Sequence, residues 1–90
     1  SRPHGNADHD APITEKYNSI KDVAKDIRKN QVQVDVNGNV VGNNRPDLQY
    51  NIDGVHYNFE VDRSEINSER HRSVILNNDP YSVFEKRIIK

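Results

Sequence analysis

The chain has no cysteine, no methionine and no tryptophan among its 90 residues. Without cysteine there is no disulfide framework, no thiol nucleophile and no cysteine-based zinc site, so a small core must hold by packing, a metal or a partner. Without an initiating methionine, Ser1 reads as the start of a fragment of a longer polypeptide, a C-terminal module. Long apolar runs are also missing. The longest is the three residues Val74, Ile75 and Leu76, against the roughly 20 needed to cross a bilayer. A membrane span is therefore excluded, and no basic-then-apolar order marks a signal peptide. Nor does one charge dominate: 13 Lys and Arg face 14 Asp and Glu, a net charge of −1. Neutralising many phosphates takes a basic surplus, which argues against a purely electrostatic nucleic-acid binder, and any such role needs a cation's help. The 4 glycines are isolated, which leaves no phosphate-cradling loop. At 32% hydrophobic residues the chain makes one small domain with a thin core.

What is present is a clear succession of patterns. Residues 1–11, with Pro3, Gly5, Asn6 and Asp8, read as an irregular lead-in or linker remnant, and residues 12–90 as a single domain. On that view His4, His9 and Asp10 belong to a linker rather than to a metal cluster. From Pro12 to about Lys29, Ile13, Tyr17, Ile20, Ala24 and Ile27 recur at helical spacing, with Pro12 in the first turn. Gln31 to Val36 alternates as a half-buried strand, closed by Asn37-Gly38. A second strand runs from Pro46 to Ile52 and a third from Val55 to Asp62, joined at Asp53-Gly54. Their apolar faces carry Leu48, Tyr50, Ile52, Val55, Tyr57, Phe59 and Val61; the polar residues between them are expected to face outward. A second helix is expected from about Ser64 or Ser68 to Leu76, stopped by Asn77-Asn78-Asp79-Pro80, and a last strand from Val83 to Ile89.

The hairpin turn carries the chemical argument. If Asp53-Gly54 is a two-residue loop, Ile52 faces Val55, Tyr50 faces Tyr57, Leu48 faces Phe59, and Asp47 falls opposite Glu60. Opposed like charges are destabilising unless something sits between them. A divalent cation supplies what is missing. Asp62 extends the acidic row on the same face, giving three candidate ligands, Asp47, Glu60 and Asp62, for an oxygen-preferring ion such as Mg²⁺ or Mn²⁺. The same register sets Arg45 opposite Asp62, so an ordinary cross-strand ion pair on a solvated face is the competing explanation.

Arg45-Pro46-Asp47, followed after twelve residues by Glu60-Val61-Asp62, in the order helix, three strands, helix, strand, resembles the PD-(D/E)XK nuclease superfamily. More narrowly, Asn44 to Tyr50, Asn58 to Ser64 and Asn78-Asp79-Pro80 resemble nuclease modules at the C-termini of bacterial polymorphic toxins of the Rhs type. The resemblance implies a restriction-endonuclease-like αβββαβ core of α+β or α/β class, with two helices and a mixed four-stranded sheet. It implies Asp47 and Glu60 as ligands of a catalytic Mg²⁺ (or Mn²⁺). The third motif position, normally Lys, is Asp62 here, so the expected positive charge must come from elsewhere: Arg63, Arg70, His71 or Lys29. Asp62 binding the metal itself is the other possibility. Members often add an acidic residue from the first helix, for which Glu15 is the candidate; Gln31 and Gln33 are polar strand residues that could face the same site.

The resemblance further implies a metal-dependent endonuclease toxin, acting on DNA more readily than on RNA. Its larger carrier polypeptide would lie N-terminal to this fragment, and a cognate immunity protein would protect the producer. It would be a secreted effector working in the cytoplasm of a target bacterial cell. Two alternatives remain open: an RNase on the same fold, with or without metal, and a non-catalytic module whose acidic strand face binds a basic protein partner.

Overall fold

The structure, a computed structural model, describes residues 7–89. Asp53 and Gly54 both adopt positive φ, 51° and 80°, which lets a two-residue turn match the twist of its flanking strands. Strands β2 (Leu48–Ile52) and β3 (Val55–Asp62) leave this turn antiparallel, with Ile52 facing Val55, Tyr50 facing Tyr57 and Leu48 facing Phe59. The tyrosine rings stack with centroids 5.0 Å apart and planes within 4°. Strand β1 (Lys25–Lys29) pairs antiparallel with β2, and β4 (Val83–Ile88) runs parallel to β3, giving the order β1-β2-β3-β4. With α1 (Ala7–Ile20) and α2 (Glu65–Asn78), this is a small α+β fold of two helices and a four-stranded mixed sheet.

The apolar side of the hairpin makes the core: Leu48, Tyr50, Phe59 and Val61 bury against Ile20 of α1, with Ile13, Ala24, Ile27 and Ile89 packed around them. Each such side chain contributes roughly 1.5–3 kcal/mol on burial. No helix among the described residues is long and apolar enough to cross a membrane.

The first helix starts and stops earlier than its apolar spacing suggests. Residues 7–11, expected to be irregular, form its opening turns, and Pro12 lies inside it. At the other end, the amides of Val23 and Ala24 both donate to the Ile20 carbonyl, and Asp26 takes φ 55° at a bulge between Lys25 and Arg28. Ala24 and Ile27 still reach the core, but from a turn and a bulged strand. The spacing from Ile13 to Ile27 is unbroken in sequence because two elements feed one core.

β1 is therefore the first strand of the three, a part expected of residues 31–36. That stretch is no strand: it holds one isolated bridge, Val34 to Val40, and lies across the polar side of the hairpin. Five residues with Lys25, Arg28 and Lys29 suit a sheet edge, where charge discourages pairing with another chain. Residues 31–44 have buried side chains to satisfy instead. Gln33 donates to the Ile75 carbonyl and accepts from Asn44 and Asn78.

The polar residues of the hairpin are likewise covered rather than outward-facing. Gln49 and Asn58 are fully buried, and Asn51, His56, Glu60 and Asp62 nearly so. Buried polar groups must find partners. Gln49 Nε2 donates to the carbonyls of Gln31 and Val32, and Asn51 Nδ2 to that of Val36 and to Asp26. The Asn58 amide and the Ser68 hydroxyl break this pattern, being buried with no hydrogen-bond partner. Helix α2 completes the cover. Ser64 caps it by accepting from the Asn67 amide at 3.2 Å, and it runs two residues past its expected end at Leu76, to Asn78, before Asp79 closes it and Pro80 forbids continuation.

Candidate functional site

Asp47 is the last residue before β2, and its carbonyl accepts from the Asn30 amide at 3.1 Å. Its carboxylate reaches across the hairpin: Oδ2 accepts from the Val61 amide at 2.8 Å and lies 3.5 Å from His9 Nε2. Extending the register by one pair sets Glu60 opposite Asp47. Glu60 is only 7% exposed. Burial, then the Asp47 charge and a hydrogen bond shared with its carboxylate, then Asp62, push the Glu60 pKa up to about 9. At neutral pH the Glu60 proton thus offsets the repulsion that two opposed carboxylates would otherwise suffer.

Asp62 has a different partner. His71 Nδ1, on α2, lies 2.9 Å and 3.1 Å from its two carboxylate oxygens. Asp62 is buried while His71 is half-exposed, so the pair joins the covered sheet face to a pocket lined also by His9, Arg45, Asp47 and Glu60. Arg45, expected opposite Asp62, is exposed and donates instead to the Asn30 carbonyl at 3.2 Å.

The remaining candidates disperse. Glu15 pairs with Arg87 of β4 at 2.8 Å, an exposed contact outside the carboxylate pocket. Gln31 exposes its side chain and offers only its carbonyl, to Gln49. Gln33 is buried among Ile75, Asn44 and Asn78 and does not line the pocket. Arg63 and Arg70 are exposed outside it. Lys29 places its ammonium 4.5 Å from the Tyr17 ring centroid. Lys86 neighbours Glu60 in the sheet, but its amine bonds Glu65 at 2.6 Å. His4 lies outside the described residues.

His9 is the site residue that reading the sequence as a linker misses. A signal was available: stepping the Ile13-Tyr17 spacing back by four lands on His9, on the inward side of α1.

Two acidic side chains facing one pocket present hard oxygen donors, the type Mg²⁺ and Mn²⁺ prefer. Among the described residues no group of three or more histidine or acidic side chains is placed so that it could hold a metal ion. Of the three expected ligands, Asp47 and Glu60 face each other across the hairpin, and Asp62 lies against His71. Such a pair still suits Mg²⁺, which usually takes one or two carboxylates and completes its shell with water and substrate phosphate.

No family model, no curated protein and no solved structure matches the chain.

Proposed function

We propose that this chain is a metal-assisted endonuclease of the PD-(D/E)XK kind, with a restriction-endonuclease-like core. More particularly, it is the nuclease module of a bacterial toxin, acting on DNA in the target cell and restrained in the producer by an immunity protein. The observation that carries the reading is the placing of Asp47 opposite a buried Glu60 at the end of a hairpin, both lining one pocket, within a helix, three-strand, helix, strand order. Opposed acids are costly to maintain there, and a cation site is the function that repays the cost. Asp47 and Glu60 would hold the Mg²⁺ or Mn²⁺, whose chemistry is to polarise a phosphate oxygen and acidify a bound water. Asp47 is held in place by the Val61 amide, and Glu60 must release its proton for the ion to take that position. Arg45, exposed at the pocket rim, is the group available to a phosphate. His71, oriented by Asp62, stands in for the missing motif Lys beside the scissile bond.

The Asp62–His71 pair also favours a second reading, RNA cleavage without metal. A carboxylate-oriented imidazole is a general base for a ribose 2′-hydroxyl.

The test is incubation of the domain with supercoiled plasmid and with total RNA, each with Mg²⁺, Mn²⁺ or EDTA, beside Glu60→Gln and His71→Ala. The first reading expects metal-dependent nicking of plasmid that Glu60→Gln abolishes. RNA cleavage that survives EDTA and is lost in His71→Ala selects the second. A folded wild type that cuts neither substrate overturns both and leaves the acidic row as a protein-binding surface.

A further inference from the structure

His56 lies on β3, 2% exposed, outside the carboxylate pocket. Its Nδ1 is 2.6 Å from Asn51 Oδ1 and its Nε2 is 2.9 Å from Gln49 Oε1. A neutral imidazole has one N–H and one lone pair, so it satisfies one such acceptor and opposes the other. Turning either amide over removes the conflict only by creating worse ones. Gln49 uses its nitrogen to donate to the carbonyls of Gln31 and Val32, and its oxygen to accept from the Val34 amide. Asn51 uses its nitrogen to donate to Asp26 and to the Val36 carbonyl. Main-chain partners thus fix both oxygens toward the ring.

We propose that His56 is held as an imidazolium donating both ring N–H groups, a buried cation that clamps residues 31–36 onto the sheet through Gln49 and Asn51. The charged groups facing it agree. Asp26 comes from β1, Asp35 from the 31–44 segment and Asp79 from the end of α2, and Arg28 of β1 opposes them. Burial, the strongest influence, and Arg28 lower the ring's pKa, while the three carboxylates raise it. Burial and Arg28 together outweigh the carboxylates and would by themselves hold the ring below its ordinary value; the two ring contacts with carbonyl oxygens are what oppose this. Two carbonyl oxygens replace the two waters a dissolved imidazolium would keep, and bonding to the charged form favours it. The clamped segment continues through Gln33, which is bonded to Asn44, to Arg45 and Asp47. The protonation of His56 therefore governs how firmly the chain entering the carboxylate pocket is held, whatever that pocket does.

The sign of the pH dependence decides the matter. A histidine held as a cation contributes stability that is full below its unfolded pKa, about 6.5, and is lost as pH rises through its higher folded value. A histidine kept neutral by burial does the reverse, losing stability on acidification. The experiment is ring ¹⁵N and ¹³C NMR of the wild-type chain across pH 5 to 9, with His56→Gln used to assign the signals. The expected result is a doubly protonated His56 ring at pH 7, deprotonating above the exposed-histidine range. Protection of the Val34 amide, beyond its intrinsic exchange, should then fall roughly tenfold as one charge-assisted bond is lost. A single neutral tautomer at pH 6 overturns the proposal. If His56→Gln does not fold, assigned wild-type spectra still decide it.

Discussion

Replacing Glu60 by glutamine keeps the shape of the side chain and removes its titration. Glu60 ionises near 4.5 when unperturbed and near 9 in the folded chain, burial being the main cause and Asp47 the next. Between those values the folded chain holds a proton that the unfolded chain has released. Stability contributed at Glu60 is therefore full below 4.5 and is lost as pH rises toward 9. At pH 7 the loss covers two and a half pH units, about 3 kcal/mol at 1.36 kcal/mol per unit. Glutamine carries no such penalty. Glu60→Gln should match the wild type at pH 4 and exceed it by about 3 kcal/mol at pH 7, on the order of 10–20 °C in Tm for a domain this size. Urea denaturation at pH 4, 5.5, 7 and 8.5 in EDTA measures the difference directly. The same variant should lose all metal-dependent cleavage, since a neutral amide is a poor substitute for a carboxylate ligand. Gained stability with lost activity is the signature of a group retained for function. Stability profiles that run parallel across this range would refute the account of Glu60 as an acid held un-ionised by burial and Asp47.

Millimolar Mg²⁺ or Mn²⁺ should raise the wild-type Tm more at pH 8 than at pH 6, because proton and cation compete for Glu60, and should leave Glu60→Gln unmoved; equal shifts in both proteins would count against the site. Gly54→Ala should cost about 1 kcal/mol in urea denaturation, because its φ of 80° is a conformation L side chains resist, although nothing lies within 4 Å to clash with the added methyl. Ile75→Ala should cost roughly 2–5 kcal/mol by the same assay, since its side chain on α2 is fully buried and its loss leaves a cavity.

The amino-acid order alone determined the hairpin and with it the site's central pair. Asp53-Gly54 favours a two-residue turn, that turn sets the register, and the register sets Asp47 against Glu60 without knowledge of anything distant in the chain. The limits of β3 and the start of β4 follow equally locally, from alternation bounded by turn and proline signals. Tertiary structure decided which segment became β1. The apolar spacing from Ile13 to Ile27 fits one long helix as well as it fits a helix and a bulged strand sharing a core. Nothing local shows that residues 31–36 lie over the sheet instead of within it. It also decided that the hairpin's polar face is buried. Alternation reports that two faces differ, but a polar face looks the same in sequence whether it meets water or a network of Gln33, Gln49, Asn51 and His56. The partners of the site residues belong to the same category. Asp62 meets His71, Glu15 meets Arg87 and Arg45 turns to Asn30 because helix placement and side-chain reach settle those contacts, and both arise only once the layers pack.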